Sequence, residues 1–234
     1  MSCQKKTLGI IGGMGPAATA MLFESIISNT QANCDAEHIH ILIDNYPQIP
    51  DRTTAILSGS NEPVKYICEA GQRLINMGAE LILIPCNTSH YYFEEIKNNL
   101  SVPVINMIEE TALYCRRMGC SVVGVLATDG TRKTDIYKTE FEKAGLDVVY
   151  PSEEGQKQVM SVIYEQVKAG KEINTSGLEA HLKDMEAQGA QAFVLGCTEL
   201  PIAIKDGDFG FRFIDTIEVL AKSAILKAGY NIKK

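Results

Sequence analysis

The segment Leu83-Ile84-Pro85-Cys86-Asn87-Thr88 returns 111 positions later as Val194-Leu195-Gly196-Cys197-Thr198-Glu199. Two further pairs keep the same order and nearly the same spacing. Gly9–Gly13 matches Gly124–Thr128 at an offset of 115, and Ile105–Glu109 matches Ile214–Glu218 at 109. A repeat near half of the 234 residues, rather than one of about 20 to 50, argues for two related halves joined near residues 100 to 120 and against a solenoid.

Within each half, short β-branched runs alternate with longer stretches of helical period, the pattern of an α/β fold with a mostly parallel sheet. The runs predict strands at Thr7–Ile11, Ile39–Ile43, Glu80–Ile84, Val102–Ile105, Ser121–Leu126, Asp147–Val149, Ala192–Leu195 and Arg212–Ile214. Helices are expected at 16–32, 61–77, 89–99, 107–118, 134–144, 153–169, 175–188 and 216–228. Gly78, Gly119, Gly145, Gly170 and Gly189 each follow one of these stretches, as C-terminal caps do. The expected architecture is two pseudo-symmetric Rossmann-like or flavodoxin-like halves, each a parallel sheet flanked by helices, with the active site between them. Residues 1–115 form the N-terminal half and 116–215 the C-terminal half, with the helix of 216–234 packing back on the first.

Charge and cysteine usage narrow the function classes. The 22 Lys and Arg stand against 29 Asp and Glu, a formal net charge of −7, the reverse of a nucleic-acid binder's basic footprint. Apolar runs such as Leu81–Cys86 stop far short of the roughly 20 residues of a membrane span. The start, Met1-Ser2-Cys3-Gln4-Lys5-Lys6, leads into a Gly-rich loop rather than the core of a signal peptide. These features predict a cytoplasmic protein with neither nucleic acid nor membrane as partner. Seven scattered cysteines, without a Cys-x-x-Cys pair, suggest reduced thiols rather than a disulfide framework or a zinc site.

In open α/β sheets the ligand crevice lies outside the carboxyl ends of the strands, and both Cys86 and Cys197 fall there. One such cysteine reads as a small apolar residue at a strand end. Two at equivalent repeat positions, each followed by hydroxyl or amide side chains, read as a pair of chemical groups. Inverting a carbon that bears a hydrogen needs a base on one face and an acid on the other, which a duplicated scaffold supplies. A thiolate at a strand-to-helix junction is eased towards neutrality by backbone N–H groups and a helix N-terminus, so one thiolate and one thiol form a working pair. Asn87, Thr88, Ser89 and Thr198 are the donors placed to hold a substrate carboxylate as charge develops on it.

Taken together, Gly12-Gly13-Met14-Gly15-Pro16, Pro50-Asp51-Arg52, Pro85-Cys86-Asn87-Thr88-Ser89-His90 and Gly196-Cys197-Thr198-Glu199-Leu200 resemble the cofactor-independent aspartate/glutamate racemases over essentially the whole chain. Glu199 stands where glutamate racemases proper carry His, which is similar to the aspartate racemase branch. The resemblance implies an isomerase interconverting L- and D-aspartate, and glutamate as a second candidate, with Cys86 and Cys197 as the two bases. It implies a homodimer that works without pyridoxal phosphate or metal. Arg52 and Lys168 match the family's substrate-binding cations, with Lys171 an alternative to Lys168. Met14, on the first loop, and Thr128, after the equivalent strand of the second half, complete the candidate substrate contacts.

Two other readings stand beside this one. Gly13-x-Gly15-x-x-Ala18 after a strand, with Asp44 ending the next, fits a dinucleotide fingerprint and an NAD-dependent oxidoreductase. A dicarboxylate-binding module without catalysis would keep the cations and need neither thiol. Arg52 also reads as an exposed loop arginine, and Lys168 as a residue selected by the electrostatics of a helix C-terminus. His90 either polarises Cys86 or caps its helix, and Tyr91 and Tyr92 read as packing residues.

Overall fold

A computed structural model describes residues 5–233, so Cys3 lies outside the described residues; the other six cysteines are free thiols. The chain divides into two compact units, one running to Met107 and resuming at Ile217, the other spanning Ile108–Thr216. Residues 108–115, assigned above to the first half, therefore belong to the second unit. They are part of one helix, Met107–Arg117, that begins where the chain leaves the first.

In the first unit β1 (Leu8–Gly12), β2 (Ile41–Asn45) and β3 (Leu81–Leu83) form a parallel sheet of order β2-β1-β3. β1 is central and buried throughout, which explains its continuous Leu-Gly-Ile-Ile-Gly run, since strands covered on both faces have no polar side. The expected strand at Val102–Ile105 is reduced to a parallel bridge between Ile82 and Val104. Ile82 N–H donates to Pro103 O (2.9 Å) and Ile105 N–H to Ile82 O (3.0 Å); Pro103 has no N–H to extend the ladder. The C-terminal helix, Thr216–Lys227, contributes Ile217, Leu220, Ala221, Ala224 and Ile225, a stripe at helical spacing, to the core around Leu8, Ile10 and Leu83, and Ala228, which follows the helix, joins them.

The second unit carries β4 (Val122–Ala127), β5 (Asp147–Val149), β6 (Phe193–Gly196) and β7 (Phe213–Asp215), all parallel, in the order β5-β4-β6-β7. With the bridge at Val104 counted as the fourth position, the first sheet has the same order. The duplication reaches individual contacts. A Cβ on Gly9 would lie 2.7 Å from Ile82 Cδ1 and 3.3 Å from Leu74 Cβ, and one on Gly124 would lie 2.5 Å from Phe193 Cδ1 and 2.9 Å from Met185 Cε. Ile82 and Phe193, like Leu74 and Met185, are 111 positions apart. Gly78 and Gly189, at the same offset, close their helices with φ of 104° and 103°.

Several helices depart from the expected bounds. The first ends at Asn29, and residues 88–99 split into a tight turn, Thr88–Tyr92, followed by the helix Phe93–Asn99. Residues 153–169 divide into an α-helix, Glu153–Met160, and a wider π-helical stretch, Ser161–Val167. Short helices at Arg52–Ser58, Asp129–Lys133 and Leu200–Ala203 were not expected. No helix among the described residues is long and apolar enough to cross a membrane.

Candidate active site

Each unit places one cysteine just beyond the C-terminal end of a strand, Cys86 after β3 and Cys197 after β6. In the first unit the backbone around Cys86 is fixed on both sides. Its N–H donates to Ile84 O (2.8 Å). Its carbonyl accepts from Ser89 Oγ (2.7 Å) and from His90 Nδ1 (2.9 Å). The other ring nitrogen, Nε2, accepts the Met107 N–H at 3.0 Å. A nitrogen that accepts cannot carry the proton, so the tautomer follows from the bonds: His90 is neutral with its proton on Nδ1. The imidazole thus serves the Cys86 backbone and the start of the helix Met107–Arg117, and its ring stacks on Phe93 at 5.7 Å and 7°. Asn87, Thr88 and Ser89 are all buried, and the Ser89 hydroxyl is committed to the loop's own backbone.

Arg52 is neither exposed nor on a loop. It lies buried in the first turn of the helix Arg52–Ser58, which Asp51 caps by accepting from the Thr54 N–H (2.8 Å) and hydroxyl (2.9 Å). Its guanidinium donates to the carbonyls of Ile49 (3.2 Å), Pro50 (3.0 Å) and Met14 (3.0 Å), bracing the first loop against the segment before the helix. Met14 shares an apolar cluster with Ile49, Ile84 and Cys86.

The same loop answers the dinucleotide reading. Gly13 adopts φ 91°, and a Cβ there would lie 2.3 Å from the Tyr46 carbonyl carbon, so the turn is closed by backbone. Its N–H donates to Thr19 Oγ1 (2.9 Å), whose hydroxyl donates to Gly15 O (3.0 Å). Asp44, the residue offered for a ribose, is held by Arg73 through Nε and Nη2, each at 2.8 Å. The Gly13 N–H and one oxygen of Asp44 are thus engaged within the fold.

In the second unit Ala127 pairs with Gly196, so Thr128 and Cys197 leave the sheet side by side. Thr128 caps the helix Asp129–Lys133, its Oγ1 accepting from Thr131 N–H at 3.2 Å. Gln156, which sequence reasoning passed over, donates through Nε2 to Ala127 O (2.9 Å) and Asp129 Oδ1 (2.8 Å). The Cys197 thiol, 6% exposed, donates to Glu199 Oε2 at 2.9 Å. Thr198 Oγ1 lies 3.5 Å from the same oxygen. Lys168 Nζ stands 3.9 Å from Glu199 Oε1 and 4.2 Å from the centre of the Tyr164 ring. Lys168, at the end of the π-helical stretch, is thus the lysine paired with the carboxylate that holds the Cys197 thiol.

Burial, and then the Glu199 carboxylate, push the Cys197 thiol well above the ordinary range, with Lys168 opposing them. The expectation of a thiolate eased towards neutrality does not hold for this cysteine: it is a protonated thiol beside a buried carboxylate. Glu199 is the partner that motif reading left without a role. Its place two residues after Cys197, in the tight turn before the helix Leu200–Ala203, was the available signal.

Residues 11–224 match the family model described as Asp/Glu/hydantoin racemase. The Picrophilus torridus aspartate racemase structure is 32% identical, with a TM-score of 0.84, covering 98% of this chain and 96% of that one. An aspartate racemase homologue from Pyrococcus horikoshii OT3 is 27% identical, with a TM-score of 0.78 and coverage of 95% and 99%. The broad specificity amino-acid racemase RacX of Bacillus subtilis strain 168 is 29% identical over 224 residues, 93% of this chain and 96% of its own length.

Proposed function

This chain belongs to the Asp/Glu/hydantoin racemase family, and from that premise we propose that it racemises an acidic amino acid, aspartate first, using Cys86 and Cys197 as opposed acid and base. The observation that carries the reading is the duplication itself. Two thiols stand at the ends of equivalent strands, and one of them, Cys197, is bonded to a buried carboxylate 2.9 Å away. One thiolate removes the α-proton, and the opposite thiol returns a proton to the other face, so the carbon is inverted and no electrons leave the system. When Cys197 is the base, Glu199 first takes its proton; when Cys197 is the acid, Glu199 returns it.

The remaining assignments follow the same reading. Lys168 faces the substrate's distal carboxylate, the donors Asn87, Thr88 and Thr198 hold the α-carboxylate, and Arg52 acts through the loop at Met14 that it braces. Ser89 and Thr128 support the two cysteine loops. The relatives named for aspartate support aspartate ahead of glutamate. A homodimer belongs to the reading as well, checked by sedimentation equilibrium.

The test is the circular dichroism of L-aspartate incubated with the purified protein and no added cofactor. The expected result is decay of the signal to zero, with D-aspartate decaying from the opposite sign. A signal that persists at high protein concentration, with L-glutamate equally inert, would overturn the reading. Prior alkylation with iodoacetamide should abolish turnover; a dicarboxylate-binding module would keep its ligand.

A further inference from the structure

The two cysteine loops are duplicated in sequence but held by different means. In the second unit the side chain of Cys197 has its own partner, Glu199, while its carbonyl accepts the Leu200 N–H at 3.0 Å. The position corresponding to His90, four residues after the cysteine, is Pro201, which has neither a side-chain donor nor an N–H. In the first unit the peptide groups on both sides of Cys86 are bonded, and the decisive link is the imidazole. It spans from the Cys86 carbonyl to the N–H of Met107, 17 residues further on, where the chain leaves the unit. Fixing the N–H and the carbonyl of one residue fixes its φ and ψ, and with them the direction of its Cα–Cβ bond, from which the thiol is carried. Such preorganisation decides whether a base reaches the proton it must take.

We propose that His90 is the positioning residue of the Cys86 half-site: a neutral imidazole, protonated on Nδ1, that places the Cβ carrying the Cys86 thiol through its backbone and exchanges no proton with substrate. This deepens the racemase reading and rests on it for the consequence in turnover, though not for the geometry. The ring donates and accepts through separate atoms, so the two functions can be separated from its bulk. His90→Phe keeps an aromatic ring against Phe93 and removes both nitrogens. His90→Gln keeps one donor and one acceptor in a smaller group.

The experiment follows α-hydrogen exchange into deuterated water separately from L- and D-aspartate. Cys197→Ala serves as the reference, because the enantiomer it still labels is the one Cys86 deprotonates. In His90→Phe, exchange from that enantiomer should fall about 10²-fold in kcat with KM little changed, a loss typical of a base displaced by about 1 Å. Exchange from the other enantiomer should stay within a few-fold, and His90→Gln should recover most of the loss. An equal fall for both enantiomers, no fall for either, or a Gln variant as damaged as Phe would overturn the proposal.

Two measurements need no turnover. Nitrogen-15 spectra of the wild-type imidazole near neutral pH should show a protonated Nδ1 and a bare Nε2; an imidazolium or the opposite tautomer would overturn it. Iodoacetamide labelling, read by peptide mass, should speed up at Cys86 about tenfold in His90→Phe as the loop opens, with Cys197 unchanged; an equal change at both cysteines would overturn it. If wild-type protein exchanges neither aspartate nor glutamate, the racemase reading fails, while these two measurements still decide the role of His90.

Discussion

At the scale of single residues, the two thiols differ in a way that repeat matching does not reveal. Cys197 is kept protonated by burial and by Glu199, so its entry into chemistry as a base depends on that carboxylate accepting its proton. Glu199→Gln keeps the volume and a hydrogen-bonding group but removes the proton acceptor. Racemisation should fall by about 10²-fold or more, the usual range for loss of a general base, while binding of aspartate measured calorimetrically changes little. Unchanged kcat in Glu199→Gln would show that the thiol exchanges its proton by another route. Cys86 and Cys197 were legible because the same loop occurs twice in the chain. The role of His90 was not, because it depends on the Met107 N–H, a partner that no local pattern connects to it. Arg52 was legible as a matched residue, but its bonds to Met14, Ile49 and Pro50 arise only when two loops meet.

At the scale of elements, most strands and helices were legible because period and glycine punctuation agree. The failures have identifiable causes. Pro103 interrupts the ladder that the apolar run Val102–Ile105 predicts. The π-helical stretch Ser161–Val167 has the same local preferences as an α-helix; only its bonds, such as Lys168 N–H to Ile163 O at 3.0 Å, set it apart. That wider turn sets where Lys168 emerges. The helix Arg52–Ser58 was missed because it is two turns long, too short for a period to show, although Asp51 three residues before Thr54 is a capping signal. Its cap matters beyond the helix, since the first turn carries Arg52. Asp51→Ala should lower stability by about 1 kcal/mol in urea denaturation, and Asp51→Asn should recover most of that. Equal stability in all three proteins would mean that tertiary packing alone holds this turn.

At the scale of the whole molecule, the duplication that organises the fold also organises the proposed chemistry, with one thiol in each unit and each unit closed by its own sheet. The first unit is completed only when the chain returns at Ile217, so the Cys86 loop precedes the first crossing of the chain and the Cys197 loop lies between the two. Under the racemase reading the two thiols act as one unit although they belong to different halves. Cys86→Ala and Cys197→Ala should each abolish racemisation, because the surviving base removes a proton that nothing replaces on the opposite face. Proton removal itself need not stop. Each single variant should still exchange the α-hydrogen of one enantiomer for deuterium without inversion, and the two variants should choose opposite enantiomers. Because acid and base act together, losing both should cost little more racemisation than losing either, so the effects should not add. Exchange, by contrast, should vanish only in the double variant. If Cys197→Ala keeps near-normal racemisation while Cys86→Ala loses it, the thiols are not a pair, and a one-base route through Cys86 has to replace the mechanism proposed for both.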